Sequence, residues 1–427
     1  MNDLAVASVI FSLTYLLIIS ERVHKTAAAL IGGVAVIAFR VLDQEEAFAA
    51  IDLNVIFLLV GMMIIANTLG KTGAFQWLAI RSAKAARGSP ILILVLLAAI
   101  AAVASAFLDN VTTVVLLAPL SLFVASILGI SPLPFLVSLV FASNIGGTAT
   151  LIGDPPNILI GSAANLNFVD FIVHLMPIVL LVLLVYLAAV FLLFRRRLRA
   201  SPQAVARVMQ LDEAEAITDR PLLQKSVVVL ALVVVVFLLH GALDLEPATV
   251  ALGGATVLII IGRQHPHDAL REVEWTTIFF FVGLFVVVKG AEEAGLLEHL
   301  GNGIIEASGG HEWAAAMLTL WPAGVMSSVV NQIPYSAAMI PVVEQVNTEL
   351  GLGASDSPLW WALALGVGFG ANLTPVGAAA NVLVLNTAER AGYKISFLEF
   401  MKYGGLVTLA SLVLATVYMW LRYLLLG

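Results

Sequence analysis

Two short stretches of this 427-residue chain carry polar side chains with apolar sequence on both sides. The first is Asp109-Asn110-Val111-Thr112-Thr113, at the middle of an apolar run over 91–128. The second is Asn144, followed by Gly146-Gly147-Thr148-Ala149-Thr150-Leu151-Ile152-Gly153-Asp154-Pro155-Pro156-Asn157, inside the run 134–162. Asp109 and Asp154 are the only two carboxylates deep within apolar runs. An ionisable group inside a bilayer is costly and is by default a functional candidate. Such an acid can carry a proton, whereas a bound cation would keep it ionised. Each also has a plainer reading: Asp109 as a cap bonding its neighbours' amides, Asp154 as a brace for the Pro155-Pro156 turn. Asn110, Thr112, Thr113, Asn144, Thr148, Thr150 and Asn157 add neutral donors and acceptors suited to hydroxyl or oxyanion ligands. The glycines of this stretch lower the cost of unwinding it, and Gly146 and Gly147 join the candidate substrate-binding residues.

The same pattern returns further along. At a spacing of 222, Asp52–Gly61 matches Glu274–Gly283, and Gly32, Gly73, Asn110 and Pro119 meet Gly254, Gly295, Gln332 and Pro341. At 224, Gly146, Thr150, Gly153 and Asn157 fall on Gly370, Thr374, Gly377 and Asn381. The second copy adds Ser327, Ser328, Asn331, Gln332, Asn372, Thr374 and Asn381 as candidate ligands. It lacks the acids, because Asn331 stands for Asp109 and Ala378 for Asp154. Pro155, Pro156 and Pro375 cannot continue a helix. Unwound backbone in a membrane is tolerated only where it lines a wet or ligand-filled cavity. The plainer reading of these Gly and Thr residues is helix packing; recurrence of the whole pattern favours a site.

The elements that hold these residues must be membrane helices. Hydrophobic residues make up 61% of the chain and charged ones 11%, with mean hydropathy +1.03, against roughly 25% charged in a soluble domain. Apolar runs fall at about 4–20, 26–41, 53–69, 91–128, 134–162, 171–194, 226–242, 248–262, 275–289, 314–346, 359–386 and 404–424. Runs of about 20 residues cross a ~30 Å core as helices and exclude an outer-membrane barrel, whose strands alternate. The runs 91–128 and 314–346 are too long for one span and have polar midpoints, so both read as re-entrant hairpins. The expected fold is therefore an all-α polytopic membrane protein of about ten transmembrane helices plus two re-entrant hairpins.

With both termini outside, 18 of the 21 Lys and Arg residues fall inside, as the positive-inside rule requires. The domains expected are a first repeat over 1–194 (hairpin 91–128, broken helix 134–162), a basic cytoplasmic linker over 195–225, and a second repeat over 226–427 (hairpin 314–346, broken helix 359–386). Five spans per repeat is odd, so the second copy is inverted. Inverted repeats with broken helices are the architecture of secondary transporters. The net charge of −7 names no partner, and zero Cys excludes disulfides and thiolate chemistry. The His residues show no metal-ligand spacing, and no nucleotide fingerprint is present. Lys289 should snorkel and pair with Glu292 and Glu293. Trp275, Trp313, Trp360, Trp361 and Trp420 read as interface anchors.

On Asp109–Thr113 with Pro119, and on Gly146–Asn157, the chain resembles the ion transporter superfamily. The resemblance is to the branch joining arsenite permeases, the pink-eyed dilution protein and related anion permeases, and it covers nearly the whole length. It implies a two-repeat carrier whose hairpin and broken-helix tips enclose the substrate. It also implies transport in an inner, plasma membrane driven by a proton gradient, with sodium as the alternative and no cofactor. The usual second hairpin reads Asp-Asn-Ile-Pro; here Asn331-Gln332-Ile333-Pro334 is neutral, closer to the arsenite permeases. The expected function is proton-coupled antiport of arsenite or antimonite. A carboxylate or other anion carrier, a sodium/proton antiporter and an anion channel are the alternatives. The expected partners are the small solute and the lipid bilayer, with no nucleic acid, and the resemblance leaves room for a separate ATPase subunit on the linker.

Overall fold

The computed structural model describes residues 3–20, 22–353 and 357–425. Met1 and Gly427, whose side of the membrane the sequence predicts, lie outside them. In chain order the helices are α1 (Asp3–Ser20), α2 (Lys25–Ala38), α3 (Gln44–Ala49), α4 (Leu53–Lys71), α5 (Ala74–Ala85), α6 (Pro90–Leu108), α7 (Asn110–Leu128), α8 (Leu133–Gly147), α9 (Pro155–Ala163), α10 (Phe168–Phe194) and α11 (Pro202–Met209). There follow α12 (Arg220–Leu243), α13 (Pro247–Gly262), α14 (Pro266–Arg271), α15 (Trp275–Glu293), α16 (Leu296–Ser308), α17 (Glu312–Val330), α18 (Gln332–Leu350), α19 (Pro358–Gly370), α20 (Ala379–Arg390) and α21 (Phe397–Met419). A π-helical turn (Trp420–Leu425) extends the last of these.

Among the described residues there is no strand, and eight helices are long and apolar enough to cross a bilayer. The two long runs are hairpins: α6 turns into α7 at the single residue Asp109, and α17 into α18 at Asn331. The other two interrupted runs are broken helices, α8 with α9 and α19 with α20, each split by a short non-helical segment. This is the all-α, two-repeat, broken-helix architecture expected. Five short helices, α3, α5, α11, α14 and α16, went unread in the sequence. Both α5 and α16 begin after a left-handed glycine, Gly73 (φ 79°) and Gly295 (φ 78°), a conformation that suits residues without a Cβ.

The repeats interlock. Helix α2 packs along α15 of the other copy, and α13 along α4. Glycine makes these crossings close enough: a Cβ on Gly61 would lie 2.6 Å from the Ala251 carbonyl carbon, and one on Gly283 would lie 2.5 Å from that of Ala29. Gly61 and Gly283 are 222 apart, as are Ala29 and Ala251, so one contact is made twice.

The first arms of the broken helices, α8 and α19, are the most enclosed elements. Every residue of α19 is buried, as expected of a helix that is apolar all round. This corrects the reading of two tryptophans. Trp360 and Trp361 are 2% and 1% exposed and are not interface anchors, because α19 runs through the protein interior. Trp361 stacks on His174, ring centroids 4.3 Å apart. Trp275 and Trp420, at 42% exposed each, sit where anchors should.

The stretch 195–219 and the end of α4 share one end of the molecule. Thr218 donates its backbone N–H to Thr72 O (3.0 Å) and its hydroxyl to Lys71 O (2.8 Å). Arg81 pairs with Glu213 at 2.8 Å and Lys71 with Glu272 at 2.7 Å. Lys289 pairs with Glu292 and Glu293, at 3.3 and 2.8 Å.

Candidate functional site

The two hairpin tips have one unusual backbone in common. Asp109 takes φ 91°, ψ 158° and Asn331 takes φ 85°, ψ 141°. Side chains rarely occupy this region, and residues held in sparsely populated conformations cost about 1–3 kcal/mol and cluster at ligand and switch sites. Each tip side chain caps the helix that follows. Asp109 Oδ1 accepts from the Thr112 amide (2.8 Å) and its Oδ2 from the Thr112 hydroxyl (2.6 Å); Asn331 Oδ1 accepts from the Ile333 amide (3.2 Å).

The breaks are built alike too. Asn157 Nδ2 donates to the carbonyls of Thr148 (3.2 Å) and Thr150 (2.9 Å), and Asn381 Nδ2 to those of Ala371 (2.7 Å) and Thr374 (2.9 Å). These amides satisfy carbonyls freed where the helix unwinds, which buried backbone requires. The Thr150 hydroxyl donates to Ala106 O on the first hairpin, and Thr374 to Ser328 O on the second at 2.5 Å. Asp154 and Ala378 hold matching extended conformations before α9 and α20. Gly146 and Gly147 sit where the backbone is tightly packed. A Cβ on Gly146 would lie 2.1 Å from Ala102 O, and one on Gly147 would lie 2.6 Å from Gly153 O.

Contacts between the copies close the site. Helix α7 meets α20, and α18 meets α9, so each hairpin touches the other copy's broken helix. Gln332 Nε2 donates to Asp154 Oδ1 at 2.7 Å. Asn144 Nδ2 donates to Asn372 Oδ1 (3.0 Å) and Asn381 Oδ1 (2.9 Å), and its Oδ1 accepts from Asn110 Nδ2 (3.2 Å). The network itself sets every amide's orientation. Backbone carbonyls only accept, so Asn381 must turn its Nδ2 to them and its Oδ1 to Asn144. That forces Asn144 to donate there and accept from Asn110, leaving Asn110 Oδ1 without a donor. By the same logic Gln332 Oε1 is left over from the bond to Asp154.

Asn110 Oδ1, Asp154 Oδ2, Gln332 Oε1, Asn372 Nδ2 and the hydroxyls of Ser105, Thr113 and Ser327 are all buried without a partner. Buried polar groups are nearly always paired, and each left unmade costs about 1–3 kcal/mol. Seven such groups, of the thirteen unpartnered atoms among the described residues, fall on the tips, breaks and hairpin arms, which makes this the candidate site for a polar ligand. They are neutral apart from Asp154, and the network described includes no Lys or Arg side chain.

Of the predicted residues, Asn110, Asn144, Asn372 and Asn381 form one connected network, and Asp154 pairs with Gln332. Thr113 and Ser327 are fully buried beside it, while Thr112 is committed to Asp109. Thr148 (to Asn144 O, 2.9 Å), Thr150, Thr374 and Ser328 (to Val325 O, 2.6 Å) spend their hydroxyls on backbone. Asp154 makes no capping bond at α9, so it is not a turn brace. Ser105 was missed, although it lies 222 before Ser327. Tyr15, whose hydroxyl bonds Pro334 O beside the second tip at 2.8 Å, carried no signal, since its repeat position is Phe237.

An inverted pair of hairpins and broken helices around a buried polar centre defines a polytopic membrane transporter. The chain belongs to the citrate transporter family of the ion transporter superfamily, whose family model, described as "Citrate transporter", matches residues 15–366. It is 46% identical over 423 residues to a 46 kDa membrane protein of Mycobacterium leprae, covering 98% of this chain and 99% of that protein. An uncharacterized transporter of Mycobacterium tuberculosis is 46% identical over 422 residues, 98% of each. The human P protein is 31% identical over an alignment covering 100% of this chain and 61% of that protein. In fold it is similar to the YdaH transporter of Alcanivorax borkumensis, with TM-score 0.63 and 15% identity over 98% of both chains.

Proposed function

We propose that the protein is a proton-coupled secondary transporter that moves a small, oxygen-rich solute through the chamber between its four tips by alternating access, with Asp109 carrying the coupling proton. One observation supports the role of Asp109 above others. At the second tip, Asn331 Nδ2 donates to Val376 O at 2.9 Å, and the Gln332 amide donates to Gly377 O at 3.0 Å. These bonds latch the hairpin to its break. At the first tip the matching break carbonyls are Ile152 and Gly153, and among the described residues no such bond is made to either. Asp109 stands where Asn331 stands, but an ionised carboxyl only accepts; the neutral acid donates. Taking up a proton gives Asp109 the donor that Asn331 always has, so the first hairpin can latch. Losing it removes the latch. Glu274 and Asp154 are the charged groups within electrostatic reach of Asp109, and Asp154 is the second coupling candidate, held by Gln332.

For the solute, the neutral amides and hydroxyls favour arsenite or antimonite. At neutral pH both are mostly uncharged trihydroxides that such groups can bond from several sides. Export in exchange for protons would follow, with the linker and its basic neighbours cytoplasmic and both termini outside. A carboxylate is the second reading, favoured by the family match. Its charge would have to be met by the N-termini of α9 and α20 or by a bound sodium ion. Purified protein in vesicles with an imposed pH gradient separates these readings. Arsenite should accumulate against its gradient, dependent on the proton gradient. Uptake of citrate with no arsenite movement would overturn the solute assignment, and sodium-driven uptake without a pH gradient would overturn the proton.

A further inference from the structure

A crevice of about 720 Å³ lies between α8, α10 and α21, away from the four tips. Its floor is Phe141, Tyr186 and Phe400, all buried, the two phenylalanines meeting edge to face at 5.0 Å. Its rim includes Leu193 and Leu406, 58% and 66% exposed on helix faces that lipid would cover. At the end where α10 finishes and α21 begins, the lining turns polar: Arg197, Glu399 and Tyr403.

Arg197 belongs to the run Arg195, Arg196, Arg197 and Arg199, all exposed. Among the described residues none of these four makes a side-chain hydrogen bond or ion pair. Arg81, Arg207 and Lys225 are engaged, with Glu213, with Ile127 O at 3.2 Å and with Ile261 O at 2.7 Å, whereas Lys402 of α21, next to Tyr403, has no side-chain partner among the described residues. An apolar slot ending at the unpaired guanidinium of Arg197, with three more unpaired arginines within two residues of it in sequence and Glu399 beside it, is complementary to an amphiphile whose head is an anion.

We infer that this crevice is a binding site for an anionic phospholipid, with an acyl chain along Phe141, Tyr186 and Phe400 and the phosphate at the Arg195–Arg199 run. Guanidinium groups take phosphate oxygens in bidentate fashion, and basic pockets between membrane helices hold acidic headgroups. A basic run that served only to orient the chain in the membrane would have no need of a crevice ending at it. A lipid seated here lies against α8, the first arm of a broken helix, and so bears on the element that forms the chamber.

The test is native mass spectrometry of the purified full-length protein, titrated in detergent with phosphatidylglycerol or phosphatidylcholine. Phosphatidylglycerol should bind about tenfold more tightly, equivalent to about 1.4 kcal/mol. The triple variant R195Q/R196Q/R197Q should bind the two lipids equally. Ala189→Trp, which fills the crevice from α10, should weaken both. Matching gel-filtration profiles establish that the variants are folded. Equal binding of both lipids by the unaltered protein would overturn the proposal, as would a preference that survives the triple variant or undiminished binding by Ala189→Trp. Displacement of the lipid by glycerol phosphate alone would also overturn it, since the site would then read a free phosphate.

Discussion

The first and second hairpin tips share a backbone conformation and differ in their side chains, Asp109 standing where the second has Asn331. Asp109 and Asn331 take the same left-handed geometry, cap the following helix through a side-chain oxygen, and sit beside breaks whose Asn157 and Asn381 clasp the unwound carbonyls in the same way. The second hairpin bonds its break through the Asn331 side chain and the Gln332 backbone amide, and among the described residues the first hairpin makes no matching bond. On the proposed function, the duplicated architecture would supply two equivalent gates, and the carboxyl of Asp109 in place of the Asn331 amide would make one of them sensitive to protons.

The largest expected effect comes from erasing the difference. Asp109→Asn gives the first tip the permanent donor of the second, so proton-driven transport should fall to background while the protein still inserts. Vesicle flux alongside membrane yield checks both. Asn331→Asp is the reverse change. It should release the second hairpin at neutral pH and steepen the pH dependence of transport from one proton towards two, read from flux across a pH series.

Next are substitutions that test whether the breaks are held alike. Asn157→Ala and Asn381→Ala each strand carbonyls, at about 1–3 kcal/mol for each buried group left unpaired. Asn381→Ala should cost more, because Asn381 also accepts from Asn144. Thermal melting in detergent should rank the two in that order. Thr150→Val and Thr374→Val each remove one bond from break to hairpin and should cost about 1 kcal/mol apiece; unequal losses would break the equivalence of the halves. Smallest in stability is Ser105→Ala with Ser327→Ala. Their hydroxyls are buried and unpartnered, so melting should move within about 0.5 kcal/mol while the KM for the solute rises.

Much of this was legible beforehand, for physical reasons. Apolar runs, prolines and a 222-residue repeat are local signals, and they located the hairpins, the broken helices and the polar residues on them. The cross-copy contacts were not legible. Nothing near Gln332 in sequence says that it will meet Asp154, because that bond joins residues 178 apart through the packing of α18 on α9. Trp360 and Trp361 misled for the same reason: a tryptophan beside a span end looks like an anchor until its helix is enclosed by others. Ser105 was within reach, since the repeat that pointed to Ser327 also points 222 residues back. The short helices α5 and α16 are less apolar than the spans and so fall outside a reading of apolar runs, although the glycines that begin them align.

The most direct test of a proton carried by Asp109 is internal pH in vesicles loaded with a pH-sensitive dye, with solute added on one side and no initial pH gradient. The unaltered protein should move protons across the membrane in step with the solute, and Asp109→Asn should move none. Solute-dependent proton movement that persists undiminished in Asp109→Asn would contradict the account.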